Sequence, residues 1–220
     1  SLLFNYTGAF MYEGDTPLAE KRAAALSLDP SLLAKLLGTV ELRELLDPDI
    51  IAEVDASLRR VGRAETSEQF ADTLRIVGPV PIDDLPTYTS VPLESLEQAL
   101  GARMMRVRIG GREHVAQVLD APLLRDGLGV PVPPGVAAQV QTIPDALAQL
   151  VGRWVRTRGP FVLRDLADAF GLAVGAAHAA LQPLVDKDKV IPGRYRQGID
   201  EEEYVAAEVL RIIRTRSLAA

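Results

Sequence analysis

Seven basic residues of this 220-residue chain cluster in two short segments that could contact phosphate groups. They are Arg106, Arg108 and Arg112 in one segment, and Lys187, Lys189, Arg194 and Arg196 in the other. Guanidinium and ammonium groups spaced along a strand suit sequence-independent contact with a nucleic-acid backbone. A solvated basic strand edge that discourages pairing with other sheets is the alternative. The sequence leaves both interpretations open.

Other reactive groups form no recognisable site. His114 and His178 are the only histidines and there is no cysteine, so neither a ligand cluster for a metal nor a disulfide is expected. Paired aspartates are better explained as helix caps than as catalytic groups, because sequence neighbours on a helix do not face each other. These pairs are Asp83 with Asp84, Asp165 with Asp168, and Asp186 with Asp188.

The first basic segment is predicted to be a β-hairpin. In MRVRIGGREHVAQVL (105–119), apolar and basic residues alternate before the dipeptide Gly110–Gly111, which is typical of a two-residue hairpin turn. We expect Arg106, Arg108 and Arg112 to share one basic strand face. Three helices are predicted before this hairpin, within 67–78, 81–89 and 92–101, and three helices followed by a hairpin make a winged helix-turn-helix.

The same unit recurs 81 positions later. GPVPIDDL at 78–85 and GPFVLRDL at 159–166 share their Gly-Pro and Asp-Leu pairs. The second copy is predicted to have helices within 143–159, 163–171 and 174–189, a hairpin built from 190–196 and 201–205, and a closing helix over 206–219. We therefore predict a mainly α protein with tandem winged helix-turn-helix modules and small β-hairpins.

The remaining segments are predicted to position these modules. Residues 1–62 form a helical scaffold with helices at 15–28 and 29–38 and two more separated at Pro48. The predicted modules are 63–140 and 141–220. Residues 120–136, rich in proline and glycine, are predicted to be a connector rather than an element.

The predicted recognition helices are poorly suited to reading base sequence. The first exposes Glu94, Ser95, Glu97 and Gln98, whose carboxylates would repel phosphate. The second exposes Gly175, Ala176, His178, Ala179 and Gln182, and Pro183 is expected to interrupt it. Among aromatic residues, Trp154 is predicted to be core, whereas Tyr88 and Tyr195 are weak candidates for stacking on bases. Phe4, Tyr6, Phe10 and Tyr12 are predicted to form a packing surface.

The composition and charge of the chain argue against several classes of protein. The net charge is −6, which opposes strong non-specific binding of nucleic acid, although residues 141–220 alone carry a net charge of +1. No apolar run approaches the length of a transmembrane helix, and no signal peptide is recognisable. The absence of cysteine favours a cytoplasmic location. Because the chain begins at Ser1 with an apolar aromatic stretch, we expect an excised fragment.

Two flanking stretches resemble a known family. LLFNYTGAFMYEGDTPLAEKRAAALSLDPSLLAKLLG with ELRELLDPDIIAEV, and GRYRQGIDEEEYVAAEVLRIIRTRSLA near the C-terminus, are similar to the region that follows the motor in Lhr-type (large helicase-related) DNA helicases. The resemblance implies an ATP- and Mg-dependent RecA-like motor, translocation on single-stranded DNA, and a role in DNA repair. This chain contains neither GxxxxGK[ST] nor a DEAD or DEAH box, so it cannot itself hydrolyse ATP by that mechanism.

We therefore predict a non-motor accessory region without cofactors, metal or catalytic residues. Its expected partners are single-stranded DNA or a DNA/RNA hybrid and the motor domains of its parent chain, with no membrane. Related winged-helix arrays include DNA glycosylases, but no base-pocket signature is recognisable here. The alternatives are a winged-helix protein–protein interaction module without nucleic-acid binding, and a winged-helix transcription regulator.

Overall fold

A computed structural model describes residue 29 and residues 39–220, with side chains from residue 42 onward. The helices predicted at 15–28 and 29–38, and the aromatic group at 4–12, lie outside these residues. Two helices open the described chain: α1 (Thr39–Leu45) and α2 (Pro48–Leu58). They separate as predicted at Pro48, because the Asp47 carboxylate caps α2 by accepting from the amides of Asp49 (2.9 Å) and Ile50 (3.4 Å).

Two winged helices follow with the same order of elements. The first comprises α3 (Ser67–Val77), β1 (Val80–Pro81), a 3₁₀ turn (Ile82–Asp84), α4 (Leu85–Tyr88), α5 (Leu93–Leu100), a 3₁₀ turn (Gly101–Arg103), β2 (Met104–Ile109) and β3 (Arg112–Gln117). After a 3₁₀ turn (Val118–Asp120) and α6 (Ala121–Leu128), the second comprises α7 (Ala146–Arg156), β4 (Phe161–Val162), α8 (Leu163–Phe170), α9 (Val174–Asp186), β5 (Val190–Gly193), β6 (Glu203–Ala206) and α10 (Ala207–Ala219).

The repeat predicted from the sequence is confirmed by the sheets. Each winged helix has a three-stranded antiparallel sheet in which the short first strand pairs with the last: the orders are β1-β3-β2 and β4-β6-β5. The hairpin turn at Gly110–Gly111 is also confirmed. Both residues have positive φ (59° and 78°), as a two-residue turn that follows the strand twist requires.

The segment 120–136 is not only a connector, and this part of the prediction is wrong. Its first half is the helix α6. Pro122 lies in the first turn, where the missing amide costs no hydrogen bond, and Gly129 ends the helix in the left-handed conformation (φ 68°). Leu124 is fully buried. Gly127 allows close approach to α7, since a Cβ there would lie 2.9 Å from Leu150 Cδ1.

Pro183 does not interrupt the second recognition helix, which corrects a second prediction. The helix α9 continues to Asp186, and the Lys187 amide still donates to the Pro183 carbonyl (3.3 Å). Pro183 lies in the last turn with its ring exposed, so the chain loses one helical hydrogen bond without a clash in the core.

Three hydrophobic clusters hold the described chain together. One lies within the first winged helix, around Phe70, Leu74 and Leu96. A second joins α1 and α2 to the second sheet and α10. The third, here called the inter-repeat core, spans both winged helices and includes Met105, Val107, Ile109, Leu124, Leu150, Trp154, Phe161, Leu166, Phe170 and Leu181. The division at 62/63 and 140/141 stays a prediction.

Candidate nucleic-acid interface

The first basic segment lies on the hairpin β2–β3, but its three arginines divide between two faces. Arg106 and Arg108 lie on the exposed side of β2, which alternates with buried Met105, Val107 and Ile109. Arg112 pairs across the turn with Ile109 and therefore shares the opposite face. The expectation of a single basic strand face is wrong, because a two-residue turn places residues 109 and 112 directly opposite each other.

Carboxylates offset the charge of this first wing. The Arg106 Nε donates to Glu97 Oε1 at 2.5 Å, and this ion pair raises the pKa of Arg106 and lowers that of Glu97. Arg112 Nη2 lies 3.7 Å from Asp84 Oδ1. Arg108 donates to the Gly111 carbonyl (3.1 Å) and stands directly opposite Glu113 on β3. Little unbalanced positive charge therefore remains on this wing.

The tip of the first wing, although exposed to solvent, also touches the second winged helix. Gly110 meets Gly171, the left-handed residue (φ 62°) in the turn between α8 and α9. A Cβ on Gly171 would lie within 2.6 Å of the Gly110 amide nitrogen, a distance that real side chains do not tolerate. This backbone contact joins the hairpin tip to the turn between α8 and α9.

A buried ion pair fixes the same interface at its other end. Arg153 of α7 forms a bidentate contact with Asp120, with distances of 3.0 and 2.8 Å. Asp120 is 2% exposed and also accepts from Gln117 Nε2 (3.0 Å). Two parallel hydrogen bonds between one guanidinium and one carboxylate fix the direction of the contact as well as its distance. This contact therefore holds α7 in register against the end of the first winged helix.

The second basic segment is different, because three of its four cations have no carboxylate partner within the described part of the chain. Lys187 and Lys189 are exposed between α9 and β5, and Arg194 is half-buried at the end of β5. Among the described residues, no acidic side chain lies within ion-pair distance of these three. Asp186, their neighbour in sequence, accepts instead from Gln182 (2.8 Å).

Arg196, the fourth cation of this segment, forms an ion pair within the second wing itself. Its Nε donates to Glu203 Oε2 (2.5 Å), and Glu203 is fully buried in β6. Glu203 Oε1 accepts from the amides of Tyr195 and Arg196, both at 2.8 Å. One buried carboxylate thus holds the start of the second wing's loop by three hydrogen bonds, and that loop carries Arg194.

Neither recognition helix presents a surface suited to a DNA groove. On α5, Glu94, Ser95 and Gln98 are exposed, and Glu97 is occupied by Arg106. The carboxylate of Glu94 would repel phosphate beside Gln98. On α9, the exposed surface offers Gly175, Ala176, His178 and Ala179, which are mostly too small to reach a base.

The aromatic residues are structural in the described chain. Trp154 is 6% exposed, which confirms its core position, and packs edge-on against Phe161 with ring centroids 4.8 Å apart. Tyr88 and Tyr195 are buried, so the suggestion that they stack on bases is wrong. The Tyr195 hydroxyl donates to the Ile191 carbonyl (2.8 Å), and burial raises its pKa. The Tyr88 hydroxyl accepts from Arg59 (3.4 Å).

A cavity between the two winged helices and α2 was missed by sequence reasoning. Its volume is about 390 Å³. Its charged lining consists of Arg59, Arg112, Arg153, Arg158, Arg196, Asp55, Asp84, Asp165 and Asp168. The lining residues come from segments about a hundred residues apart, so no local pattern predicts the cavity. The only signal in the sequence is the density of arginines around Trp154.

His114 lies in the wall of this cavity. It is 4% exposed, and its Nδ1 lies 2.8 Å from the Arg112 carbonyl. Nδ1 is the donor in this contact, because a carbonyl oxygen only accepts; burial lowers the pKa of His114, and in the neutral ring Nε2 is then an acceptor. Within residues 39–220, no group of three or more His, Cys, Asp or Glu side chains could hold a metal ion. Nor does any helix in this range have the length and apolar character to cross a bilayer.

The fold and these surfaces define a tandem winged-helix protein. Residues 44–143 match the family model of the winged-helix domain of large helicase-related proteins. The whole chain aligns with the "Lhr helicase/probable uracil glycosylase" of Mycolicibacterium smegmatis at 45% identity, covering 15% of that protein. It aligns equally completely with the "Lhr helicase/uracil glycosylase" of Escherichia coli at 37% identity, covering 14%. The chain belongs to the large helicase-related (Lhr) family, as an accessory winged-helix region.

A weaker similarity extends beyond this family. A putative diacylglycerol O-acyltransferase of Mycobacterium tuberculosis is 28% identical over 202 residues, which are 88% of this chain and 39% of that protein. Both Lhr proteins are more similar and match the chain over its full length.

Proposed function

We propose that this region contacts the backbone of single-stranded DNA, or of a DNA/RNA hybrid, through its second wing. The observation that carries the proposal is a set of three cations that have no carboxylate partner among residues 39–220: Lys187, Lys189 and Arg194. Unpaired cations attract phosphate and release its counterions, whereas cations already paired with carboxylates gain less.

The contact is proposed to be independent of base sequence. The exposed face of α5 carries a carboxylate that repels phosphate, and that of α9 consists mostly of glycine and alanine, so neither is suited to base readout. A lysine recognises phosphate as a point charge and does not require a particular base. A transcription regulator, by contrast, requires a recognition helix able to distinguish bases.

The parent chain is proposed to be an ATP- and Mg-dependent helicase whose motor this region braces from a cytoplasmic location. The chain spans only 15% and 14% of the two Lhr relatives, which are named helicases. Support for a brace comes from the cluster that joins α1 and α2 to α10 and the second sheet, since it would hold the second wing at a fixed position relative to preceding domains. Those names also include uracil glycosylase, but no base-excising group is proposed for this chain.

Fluorescence anisotropy of a single-stranded oligonucleotide, measured across a salt series, tests this proposal. The variant Lys187→Ala/Lys189→Ala/Arg194→Ala removes three cations without carboxylate partners. The control Arg103→Ala/Arg106→Ala/Arg112→Ala removes three that are paired with Glu68, Glu97 and Asp84, so both variants have the same net charge.

The first variant is expected to weaken binding and to reduce the salt slope by about 2, because each lost phosphate contact removes roughly 0.7. The control is expected to bind nearly as well as the unmodified chain. Equal losses in both variants would contradict the assignment to the second wing. If the unmodified chain does not bind at low salt, the protein–protein interaction module is favoured instead.

A further inference from the structure

Arg59 and Arg158 both line the cavity between the winged helices. Asp55 contacts Arg59 directly and contacts the residue that follows Arg158. Asp55 Oδ2 pairs with Arg59 Nη1 at 3.3 Å, and Asp55 Oδ1 accepts from the Gly159 amide at 2.8 Å. Asp55 thereby brings α2 against the loop that carries Arg158.

Arg158 is held in place but is not neutralised by a carboxylate in contact with it. Its guanidinium lies over the Trp154 ring, 3.5 Å from the centroid, and its Nε donates to the Trp154 carbonyl (3.1 Å). Among the described residues, neither Nη has a hydrogen-bond partner. Burial, followed by the nearby charge of Arg59, lowers the pKa of Arg158 to about 10. The side chain is therefore a fixed cation whose two Nη groups remain available.

Arg59 adds a second incompletely satisfied guanidinium. Its Nη groups contact Asp55 and the Tyr88 hydroxyl, but its buried Nε has no partner among the described residues. A buried donor without a partner destabilises the fold, and two guanidiniums held close together repel each other. An anion between them would relieve both costs.

The carboxylates in the cavity do not cancel this arrangement, because most of them already have partners. Asp84 pairs with Arg112, and Asp165 accepts from the Val162 amide at 3.0 Å. Asp168 differs, because it has no side-chain partner in the described part of the chain. Together with His114 Nε2, it provides an acceptor for an N–H or O–H group of a ligand.

We propose that this cavity is a binding site for a nucleotide, with the phosphate between Arg59 and Arg158 and with Asp168 and His114 accepting from the sugar or base. The volume of about 390 Å³ lies within the range of small-ligand sites. Apolar walls from Phe161, Phe170 and Pro160 suit a planar base. The nucleotide is either free or the phosphorylated end of a strand. This site is separate from the second wing and does not depend on its contact with nucleic acid.

Trp154 provides a direct readout because it is the only tryptophan and lines the cavity beneath Arg158. The experiment titrates the full chain with thymidine monophosphate, with thymidine, and with one oligonucleotide carrying either a 5′-phosphate or a 5′-hydroxyl, while following tryptophan fluorescence. We expect a saturable change with the phosphorylated probes only. Tighter binding of the phosphorylated oligonucleotide would assign the site to strand ends, and tighter binding of the mononucleotide would assign it to free nucleotides.

Substitutions distinguish the loss of nucleotide binding from a general loss of folded structure. Arg59→Gln leaves the Arg158–Trp154 contact in place and is expected to weaken thymidine monophosphate binding about tenfold or more, as is Arg158→Gln. Arg156→Gln, an exposed arginine that does not line the cavity, is the matched control and is expected to bind normally. Circular dichroism verifies that each variant is folded.

Two results would overturn the nucleotide site: no saturable change with either phosphorylated probe, or a response to thymidine equal to that of its monophosphate. The variant Lys187→Ala/Lys189→Ala/Arg194→Ala is expected to retain the fluorescence response while losing oligonucleotide affinity. The nucleotide site and the second-wing contact can therefore fail independently of each other.

Discussion

His114 is an imidazole that the fold keeps neutral. It packs between the two winged helices, near Arg112 and Asp84, and burial lowers its pKa below the ordinary value of 6.5. Between pH 6.5 and the lower pKa of the folded state, the unfolded chain therefore binds more protons at His114 than the folded chain, and stability decreases as the pH falls through this interval. Above pH 6.5 neither state carries this proton, so His114 contributes no pH dependence.

We predict that the free energy of unfolding decreases from pH 6.5 to pH 5 and that His114→Gln reduces this slope. His178→Gln is the matched control, since His178 is exposed on α9, and it is expected to leave the slope unchanged. Urea denaturation at several pH values measures this difference. If His114→Gln and the unmodified chain have the same slope, the buried neutral imidazole is not the cause.

Individual elements show where sequence patterns were sufficient. The alternation of Met105, Val107 and Ile109 and the turn at Gly110–Gly111 predicted β2 and β3 correctly, because a half-buried hairpin has a period of two and needs positive φ at its turn. Pro48 likewise predicted where α2 begins. These features depend on local backbone geometry, which is determined by residues close together in the sequence.

The helix α6 shows where sequence patterns were not sufficient. Pro122 and Gly127 were interpreted as signs of a connector, but the first lies in the first turn of the helix and the second permits close packing on α7. The cavity was missed for a related reason. Arg59, Arg112 and Arg158 come together only through tertiary packing, and no local spacing records their proximity.

The role of α6 as a packed element predicts that Leu124→Ala destabilises the chain by about 2–5 kcal/mol, because it empties a fully buried site in the inter-repeat core. The control is Leu119→Ala, because Leu119 is 79% exposed; its expected change is within about 0.5 kcal/mol. Thermal or urea unfolding measures both. Similar small changes in the two variants would show that α6 behaves as a loose connector.

At the scale of the whole molecule, the two winged helices form one unit because the first wing is used for packing. Its inner face enters the inter-repeat core, its tip meets Gly171, and Arg153 joins Asp120. A wing whose inner face and tip are engaged in this way has mainly its outer face left for a nucleic-acid strand, and Arg106 on that face is paired with Glu97. This arrangement explains how two winged helices with the same order of elements can have different functions.

Adjacent glycines in the hairpin turn test this packing. Gly110→Ala and Gly111→Ala both place a side chain at positive φ, which costs roughly 1–2 kcal/mol in each variant. A Cβ at Gly110 would also lie 2.8 Å from the Gly171 Cα, whereas a Cβ at Gly111 would meet nothing within 4 Å. We predict that Gly110→Ala lowers the free energy of unfolding by about 1–3 kcal/mol more than Gly111→Ala. Equal losses would mean that the tip does not touch the second winged helix.

The central claim is that nucleic acid contacts the second wing and not the first. Backbone hydrogen exchange, measured with and without an unphosphorylated single strand, tests this claim most directly. We predict slower exchange at residues 187–196 in the presence of the strand and unchanged exchange at residues 104–112. Slower exchange at 104–112 without any change at 187–196 would contradict the account.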